Sequence, residues 1–453
     1  MPKRYEVRCP VHGFIPITEW ERDIINQPVF QRLRQIRQLG LTDMLYPGAM
    51  HTRFEHSLGV MHLATRMFED IWDRQHAFLV EQGFREDTKG RDRMIIRLMA
   101  LLHDLGHAPF SHAAEEVMPF LPGQEGKEKK DKKSYKHEQY SAGIIRTYLK
   151  DVIEQHKEND NFGLTANDIA DIIERKPAIG QRKLLWRDLI DSHLDADRAD
   201  YLLRDSVHIG VEYGHYDLAR LVICLVIAQD PDTGTLVLAV DEGGVHAAEG
   251  LILARYMMFT QVYFHHVRGA YDHHLAETLK ELLREENKDR ADLGDEKGTF
   301  LPPTTPENLK AFLDWTDWKV QGLLYVGKGG PHATILKERR HDRRVYETPE
   351  VVKAADLEEL GEVRERLGDR VSFTGSPEKS WYKPKEGEIQ ILKRGTTKTR
   401  LVPLSQISDV VKGLASLNQR RLYVPYEKAT EARRIVDDFL TEKVAKKGGP
   451  SEN

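Results

Sequence analysis

One segment limits the fold more than any other. Residues 94–102, MIIRLMALL, are apolar at every position but one and run directly into His103 and Asp104. A helix that is apolar on nearly every side is stable only where other elements surround it. Between His56 and Trp72, apolar residues recur at three- and four-residue steps, which indicates a second helix with one buried face. The two segments predict a helical core with a histidine and an aspartate at the end of its central helix.

The rest of the chain predicts a mainly α protein with a small β-hairpin and a mixed α/β C-terminal region. Helices are expected over 188–205 and, with breaks, over 245–286, whereas residues 221–244 indicate two strands around a DPDTG turn. The lysine-rich stretch 123–136 has little to bury and predicts a loop. After about residue 300, short strand-like pieces follow one another: GLLYVG, RVSFTG and the segment 388–404. We therefore predict one part over residues 1–290 and a second over 291–453.

Composition narrows the class of protein. The formal net charge of −5 over 453 residues argues against a generally basic nucleic-acid surface, although a local basic pocket remains compatible with it. Cys9 and Cys224 are the only cysteines, which excludes a disulfide scaffold and a multi-cysteine zinc module. The longest apolar run, 221–228, is too short to span a bilayer, and the first residues lack an apolar targeting core. We expect a reducing, cytoplasmic location and no membrane partner.

The histidine and carboxylate residues suggest a metal site. His56 stands at the head of the 56–72 helix, and Asp197, Tyr201 and Asp205 follow one another at four-residue steps, hence on one helical face. Imidazole and carboxylate together suit manganese, iron, zinc or nickel, with magnesium where carboxylates and water dominate. A lone histidine on an apolar helix is more often a hydrogen-bonded core residue than a ligand, so His103 alone does not establish a metal site. The 197–205 face could equally be a solvated one that pairs with Arg198 and Arg204.

Four motifs in order carry a resemblance to a known family. They are RFEHSLGV at 53–60, HDLGHAPFSH at 103–112, HEQ at 137–139 and DADRADYLLRD at 195–205. Their order and spacing resemble the HD-superfamily phosphohydrolases, in the branch that contains deoxynucleoside triphosphate triphosphohydrolases and the SAM-and-HD-domain protein. The similarity covers roughly residues 8–280 and implies an HD-domain helical core.

The resemblance implies a role for each matching residue. It implies that a divalent metal is held by His56, His103, Asp104 and Asp197. It implies catalytic functions beside the metal for His107, His112, Glu115 and His137, with Glu115 orienting His112 for proton transfer. It implies contacts with the phosphates and the sugar of a substrate for Arg53, Gln38, Leu39, Arg198, Tyr201, Asp205 and Tyr271.

The implied reaction is the metal-dependent cleavage of a dNTP into deoxynucleoside and inorganic triphosphate, by a homo-oligomer such as a dimer or tetramer. Relatives activated by guanine nucleotides carry acidic or amide residues where this chain has Arg8, Cys9 and Asn26. These differences argue against a guanine-specific activator site of that design. Activation by another nucleotide stays an open alternative. Asp272 stands where the activated relative has glutamine near the base, so the base preference also stays open.

Two other classes of protein remain as alternatives. An HD-type nuclease or phosphodiesterase would use the same metal residues on nucleic acid or another nucleotide phosphoester, and its products would be nucleoside monophosphates. A non-catalytic nucleotide- or nucleic-acid-binding protein would keep the fold without turnover. The intact set of His112, Arg53 and the metal residues favours an enzyme over a binding protein.

Overall fold

The computed structural model describes residues 5–124, 126–128, 131–176, 179–377, 388–394 and 399–447. The lysine-rich stretch expected to form a loop and the predicted strand segment 388–404 therefore lie partly outside the described residues. The strands are β1 Tyr5–Cys9, β2 Gly13–Ile17, β3 Leu225–Gln229, β4 Leu236–Asp241, β5 Arg343–Glu347, β6 Phe373–Gly375, β7 Gln390–Arg394, β8 Thr399–Pro403 and β9 Arg421–Val424.

Helices form most of the chain, as predicted. In chain order they are α1 Glu19–Ile25, α2 Pro28–Gln31, α3 Arg53–Arg74, α4 His76–Glu81, α5 Glu86–Leu102, α6 His137–Ile144, α7 Lys150–Glu154, α8 Ala166–Ile173, α9 Gln181–Arg187, α10 Ala196–Ile209, α11 Leu218–Cys224, α12 Val245–Met258, α13 His266–Glu286, α14 Pro306–Leu313, α15 Asp317–Tyr325, α16 Gly330–Glu338, α17 Ala354–Leu367, α18 Leu404–Ile407, α19 Asp409–Gly413 and α20 Ala429–Lys447. Between α12 and α13, a π-helical turn over Phe259–Tyr263 forms the expected break.

The predicted central helix is α5, and its residues 94–102 are all buried. It packs against α3, which in turn packs against α10. The expected helix over 188–205 is shorter than predicted and begins at Ala196. The Asp195 side chain accepts a hydrogen bond from the backbone N–H of Arg198 at 2.7 Å, and this cap fixes the start of α10.

The α5 helix ends at Leu102, one turn earlier than the spacing of His103 and His107 predicts. Gly106 explains the change of direction, because a Cβ there would lie 2.2 Å from the carbonyl oxygen of His137 and 2.4 Å from the backbone nitrogen of Ser141. The Ser141 hydroxyl accepts from the Gly106 N–H at 2.8 Å and donates to the His103 carbonyl at 2.6 Å. The loop after α5 is thereby held against the start of α6.

The predicted hairpin is β3 and β4, and it belongs to a four-stranded sheet of order β3-β4-β7-β8. Strand β7 pairs with β4 in parallel, with Ala239 opposite Gln390. This pairing joins the helical part of the chain to the C-terminal part. A three-stranded sheet of order β5-β9-β6 packs with α17 and α20 around a small separate core that includes Leu367, Leu422 and Val436.

The piece GLLYVG was expected to be a strand, and the structure shows that this prediction was wrong. Its residues 322–325 form the last turn of α15, whose start is capped by the Thr316 side chain accepting from the Lys319 N–H at 3.2 Å. The periodicity of an apolar run of four to six residues does not show whether the run is a strand or a helix. Here the cap at Thr316 starts a helix upstream, and the run continues it. None of the helices in the described part of the chain combines the length and apolar character that crossing a membrane requires.

Candidate functional site

The structure brings the four predicted metal residues together from three parts of the chain. His56 comes from α3, His103 and Asp104 follow α5, and Asp197 lies in the first turn of α10. The His56 Nε2 atom lies 2.9 Å from Asp197 Oδ1 and 3.7 Å from Asp104 Oδ2. His103 Nε2 lies 3.2 Å from Asp104 Oδ1 and 3.7 Å from Asp197 Oδ1. Two imidazoles and two carboxylates thus surround one point at the centre of the fold.

The donor atoms of this cluster fit a divalent cation. His103 Nε2 is buried and has no hydrogen-bond partner among the described residues, although it faces both carboxylates. A buried ring nitrogen without a partner is costly unless something binds it. The nitrogen and oxygen donors suit zinc, manganese, iron or nickel. In a metal-bound protein, the cation would be held by His56, His103, Asp104 and Asp197.

The electrostatics of the cluster follow from its burial and its opposite charges. Burial lowers the pKa of His56, but hydrogen bonds with Asp197 and Asp200 outweigh it and raise the pKa to about 10. Burial raises the pKa of Asp197, and its contacts with His103 and His56 reverse this and lower the pKa. The carboxyl groups of Asp197 and Asp200 are therefore ionised without a metal, and the imidazolium of His56 balances part of their charge. A bound cation would replace that proton.

Asp200 contacts the His56 ring from behind the cluster, and our sequence reasoning missed it. Its Oδ2 atom lies 2.8 Å from His56 Nδ1, and its Oδ1 atom lies 2.6 Å from His12 Nε2. Arg204 donates to both oxygens of the same carboxylate at 2.8 Å. A carboxylate on the far nitrogen of a metal-binding imidazole fixes its tautomer and orientation. The signal was present in the sequence, because Asp200 follows Asp197 by three residues and so lies near the same helix face.

Arg53, His107 and His137 surround the free side of Asp104. Arg53 Nη1 donates to Asp104 Oδ2 at 2.5 Å, and His107 Nε2 lies 3.2 Å from Asp104 Oδ1. The His137 ring stacks on His107 with centroids 4.0 Å apart, and its Nε2 atom lies 4.0 Å from Asp104 Oδ1. Burial and the charge of Arg53 lower the pKa of His107 well below its usual value. His107 is therefore neutral at physiological pH.

His112 lies at the rim of the site on the turn that follows. Phe110 and Ser111 have φ values of 58°, in the left-handed region, and the 3-10 helix Ser111–Val117 starts at the second of these two residues. This geometry places the His112 ring 5.6 Å from the ring of His107. Glu115, one turn further along, has its Oε1 atom 2.5 Å from His112 Nδ1. The half-exposed imidazole can contact a ligand while Glu115 holds its other nitrogen.

A cavity of about 910 Å³ opens from the cluster toward the three-stranded sheet β5-β9-β6. Most predicted substrate residues line it: Gln38, Leu39, Arg53, Arg198, Tyr201 and Asp205. Tyr271 is buried against the ring of His341 at 4.5 Å and is not among the lining residues that the structure describes. Sequence reasoning missed Arg255, Tyr263 and Arg268 in the wall, and Tyr263 donates to Asp205 Oδ2 at 2.6 Å. The C-terminal region contributes Phe373, Arg421 and Tyr423.

Two histidines and two aspartates that meet inside a helical fold place this chain in the class of proteins with a candidate metal site of this kind. Residues 53–205 match the family model of the HD domain, and residues 216–296 match that of the HD associated region. The two segments make up more than half of the chain, and the protein belongs to the HD-domain superfamily. The resemblance drawn from the four sequence motifs is thereby confirmed.

Several known proteins are similar to this chain. The uncharacterized protein YwfO of Bacillus subtilis is 35% identical over 57% of this chain and 51% of its own length. The deoxynucleoside triphosphate triphosphohydrolase SAMHD1 homolog of Dictyostelium discoideum is 32% identical over 44% of this chain and 35% of its own length. The crystal structure of a hypothetical protein from Aquifex aeolicus aligns with a TM-score of 0.73 and 28% identity, over 96% of this chain and all of that chain. The chain thus spans about half, or less, of the length of these two curated relatives.

Proposed function

We propose that the protein is a divalent-cation-dependent phosphohydrolase that cleaves a deoxynucleoside triphosphate into deoxynucleoside and inorganic triphosphate. The observation that carries the proposal is the cavity of about 910 Å³, which joins the histidine–aspartate cluster to an arginine-rich wall. Its volume suits a nucleotide, since ligand cavities commonly measure about 300–1,000 Å³. The relatives that carry a dNTP triphosphohydrolase name support the choice of substrate.

The arginines of the wall would bind the polyphosphate. Arg53 uses two of its N–H donors, on Ser111 Oγ at 2.8 Å and on Asp104 Oδ2 at 2.5 Å, so its guanidinium is fixed beside the cluster. The remaining N–H groups of its five can meet phosphate oxygens. Arg198, Arg255 and Arg268 line the same cavity and would extend the phosphate path away from the cluster.

The sugar would lie against Gln38 and Leu39. Both residues line the cavity, and the Gln38 Oε1 atom is buried without a hydrogen-bond partner among the described residues. An unpaired acceptor in a binding cavity is satisfied when a ligand hydroxyl donates to it. The 3′ hydroxyl of a deoxyribose can fill this role, while the Leu39 side chain beside it would exclude an added 2′ hydroxyl.

His112 would act as the proton donor. A divalent cation held by the cluster would neutralise phosphate charge and lower the pKa of a nearby water. As a water oxygen bonds to the α-phosphorus and the bond from phosphorus to O5′ breaks, His112 would pass its proton to O5′. The proton that the water gives up would restore the imidazolium of His112. Glu115, 2.5 Å from His112 Nδ1, stabilises the protonated ring and holds its direction.

The test is to incubate metal-loaded protein with each of the four dNTPs, singly and in mixtures, and to separate the products by chromatography. The proposal requires deoxynucleoside and inorganic triphosphate in equal amounts. Nucleoside monophosphates from a polymer, or an absence of triphosphate in every condition, would overturn it. Turnover confined to mixtures would identify an activating nucleotide. We also propose that the protein is a dimer or tetramer, and sedimentation of the same samples would measure its oligomeric state.

A further inference from the structure

A second group of imidazoles lies outside the cluster described above. His273 and His274 are neighbours on α13, and His332 lies in the first turn of α16. Each offers a ring nitrogen, and these three atoms all lie within 4.8 Å of one another. The Nδ1 atoms of His274 and His332 are 2.9 Å apart. The group shares no residue with the His56 cluster.

The separations of the three rings match those of imidazoles around one cation. The centroids are 5.1 Å apart for His274 and His332, 5.5 Å for His273 and His274, and 5.7 Å for His273 and His332. Zinc binds imidazole nitrogen at about 2.0–2.1 Å in tetrahedral geometry, which places ligand ring centres roughly 5 Å apart. The observed triangle therefore requires little adjustment to hold such an ion.

Two imidazole nitrogens 2.9 Å apart share either a proton or a common ligand. A hydrogen bond between His274 and His332 would use two of the three nitrogens without a metal, but it leaves the approach of His273 unexplained.

A carboxylate stands behind the most buried of the three rings. Asp342 Oδ1 lies 3.6 Å from His274 Nε2, and the backbone N–H of Asp342 donates to the same nitrogen at 3.2 Å. A metal-binding histidine donates the N–H of its far ring nitrogen to a carboxylate or a carbonyl, so with a metal bound His274 Nε2–H would donate to the Asp342 carboxylate and no longer accept from the Asp342 backbone. Asp342 directly precedes β5, so the contact connects α13 to the C-terminal three-stranded sheet. On the other side, the His273 ring stacks on Phe373 of β6 at 3.9 Å.

We propose that His273, His274 and His332 form a second metal site, which takes a borderline divalent cation of the zinc type. The three imidazoles supply the ligands, and Asp342 orients His274 from behind. The bound ion holds α13 against α16 and, through Asp342, ties both to β5. Its ligands differ from those of the His56 cluster, but His273 also lines the proposed substrate cavity, so bound metal and not turnover is the measurement that tests this site.

The test counts metal ions in the full chain. Protein dialysed against zinc and then against metal-free buffer is analysed for bound zinc, as wild type, His332→Gln, His273→Gln and the control His246→Gln, whose side chain is 95% exposed. We expect wild type and the control to hold one zinc per chain more than either cluster variant. Equal zinc in all four proteins would overturn the proposal, whatever the outcome of the dNTP assay.

A second measurement, in which the three histidines stay intact, guards against histidine variants that fail to fold. Cobalt titrated into wild type and into Asp197→Ala, which disrupts the first cluster, should give the visible absorption of a tetrahedral ion in both. Asp342→Asn should weaken zinc binding at the second site by about 10- to 100-fold, the usual effect of losing such a partner. A cobalt spectrum that vanishes entirely in Asp197→Ala would assign all bound metal to the first cluster and reject the second.

Discussion

The Asp317 carboxylate accepts a hydrogen bond from the backbone N–H of Phe110 at 2.7 Å, across 207 residues of sequence. Its other oxygen accepts from the Arg37 N–H at 2.9 Å. The Ser111 hydroxyl donates to the carbonyl of Arg37 and accepts from Arg53 Nε, both at 2.8 Å. The buried carboxylate of Asp317, at the start of α15, therefore holds the left-handed turn at Phe110 and Ser111. This turn positions His112 and the Ser111 hydroxyl that contacts Arg53.

Asp317→Asn should lower kcat by about tenfold while changing KM little. An amide has one acceptor oxygen in place of two, so one of the two buried N–H groups loses its partner, at a cost of about 1–3 kcal/mol. Steady-state kinetics with a dNTP would measure the effect, with the exposed Asp314→Asn as the matched control. Unchanged kcat in Asp317→Asn would show that the turn holds its shape without this carboxylate.

The same residue predicts a pH dependence of stability. Burial raises the pKa of Asp317 to about 6, against the opposing hydrogen bonds from Arg37 and Phe110. An aspartate in an unfolded chain has a pKa of about 3.9, so between these values the folded state binds the proton more tightly. The contribution of Asp317 to the free energy of unfolding is therefore full below about pH 4 and falls as the pH rises to about 6. Urea unfolding of wild type across this range should show the fall, and Asp317→Asn should lack that part of the slope.

His112→Ala should reduce turnover by about 10²- to 10⁴-fold, the usual contribution of a general acid. Metal content should stay at the wild-type value, because His112 is on the rim and the four proposed metal ligands are untouched. Glu115→Gln should cost less than His112→Ala and should shift the pH profile of kcat, since the neutral amide stabilises an imidazolium less well. Product chromatography and elemental analysis measure the two effects separately, and a His112→Ala protein with full turnover would remove its proposed role.

Asp200→Asn should weaken metal binding at the first cluster by about 10- to 100-fold. The Asp200 carboxylate contacts His56 Nδ1 and accepts from Arg204 at both of its oxygens, at 2.8 Å. A neutral amide has only one acceptor oxygen and no charge to balance Arg204, so it would hold the His56 ring less firmly. Isothermal titration with manganese gives the dissociation constant, and circular dichroism confirms that the variant is folded. The exposed Asp232→Asn serves as control, and equal affinities in the two variants would contradict the positioning role.

Gly106→Ala should destabilise the protein by about 1–3 kcal/mol or prevent folding, because its Cβ would collide with the backbone of α6. Gly361, inside α17, has open space where its Cβ would be. Gly361→Ala should therefore stabilise the fold by roughly 0.5–1 kcal/mol through helix propensity. Denaturant unfolding compares the pair. Equal stability of both variants would mean that the loop and α6 separate more easily than the contact distances indicate.

Local pattern predicted the helices well where one face or the whole surface is apolar, as in α3 and α5. It failed where a cap decides the outcome: Asp195 delays the start of α10, and Thr316 starts the helix that takes in residues 322–325. The motifs indicated which residues would meet at the His56 cluster. They could not indicate Asp317 or Arg421, because such residues reach the site only through the packing of segments hundreds of positions apart, and no spacing encodes that.

The parallel pairing of β4 with β7 has a consequence for any shortened version of the chain. A protein that ended before residue 390 would leave the backbone N–H and C=O groups of β4 open along one side. An uncovered strand edge of this kind is a template for pairing with another molecule. Truncation after the HD associated region is therefore expected to yield aggregates through this strand edge, which β7 covers in the full chain.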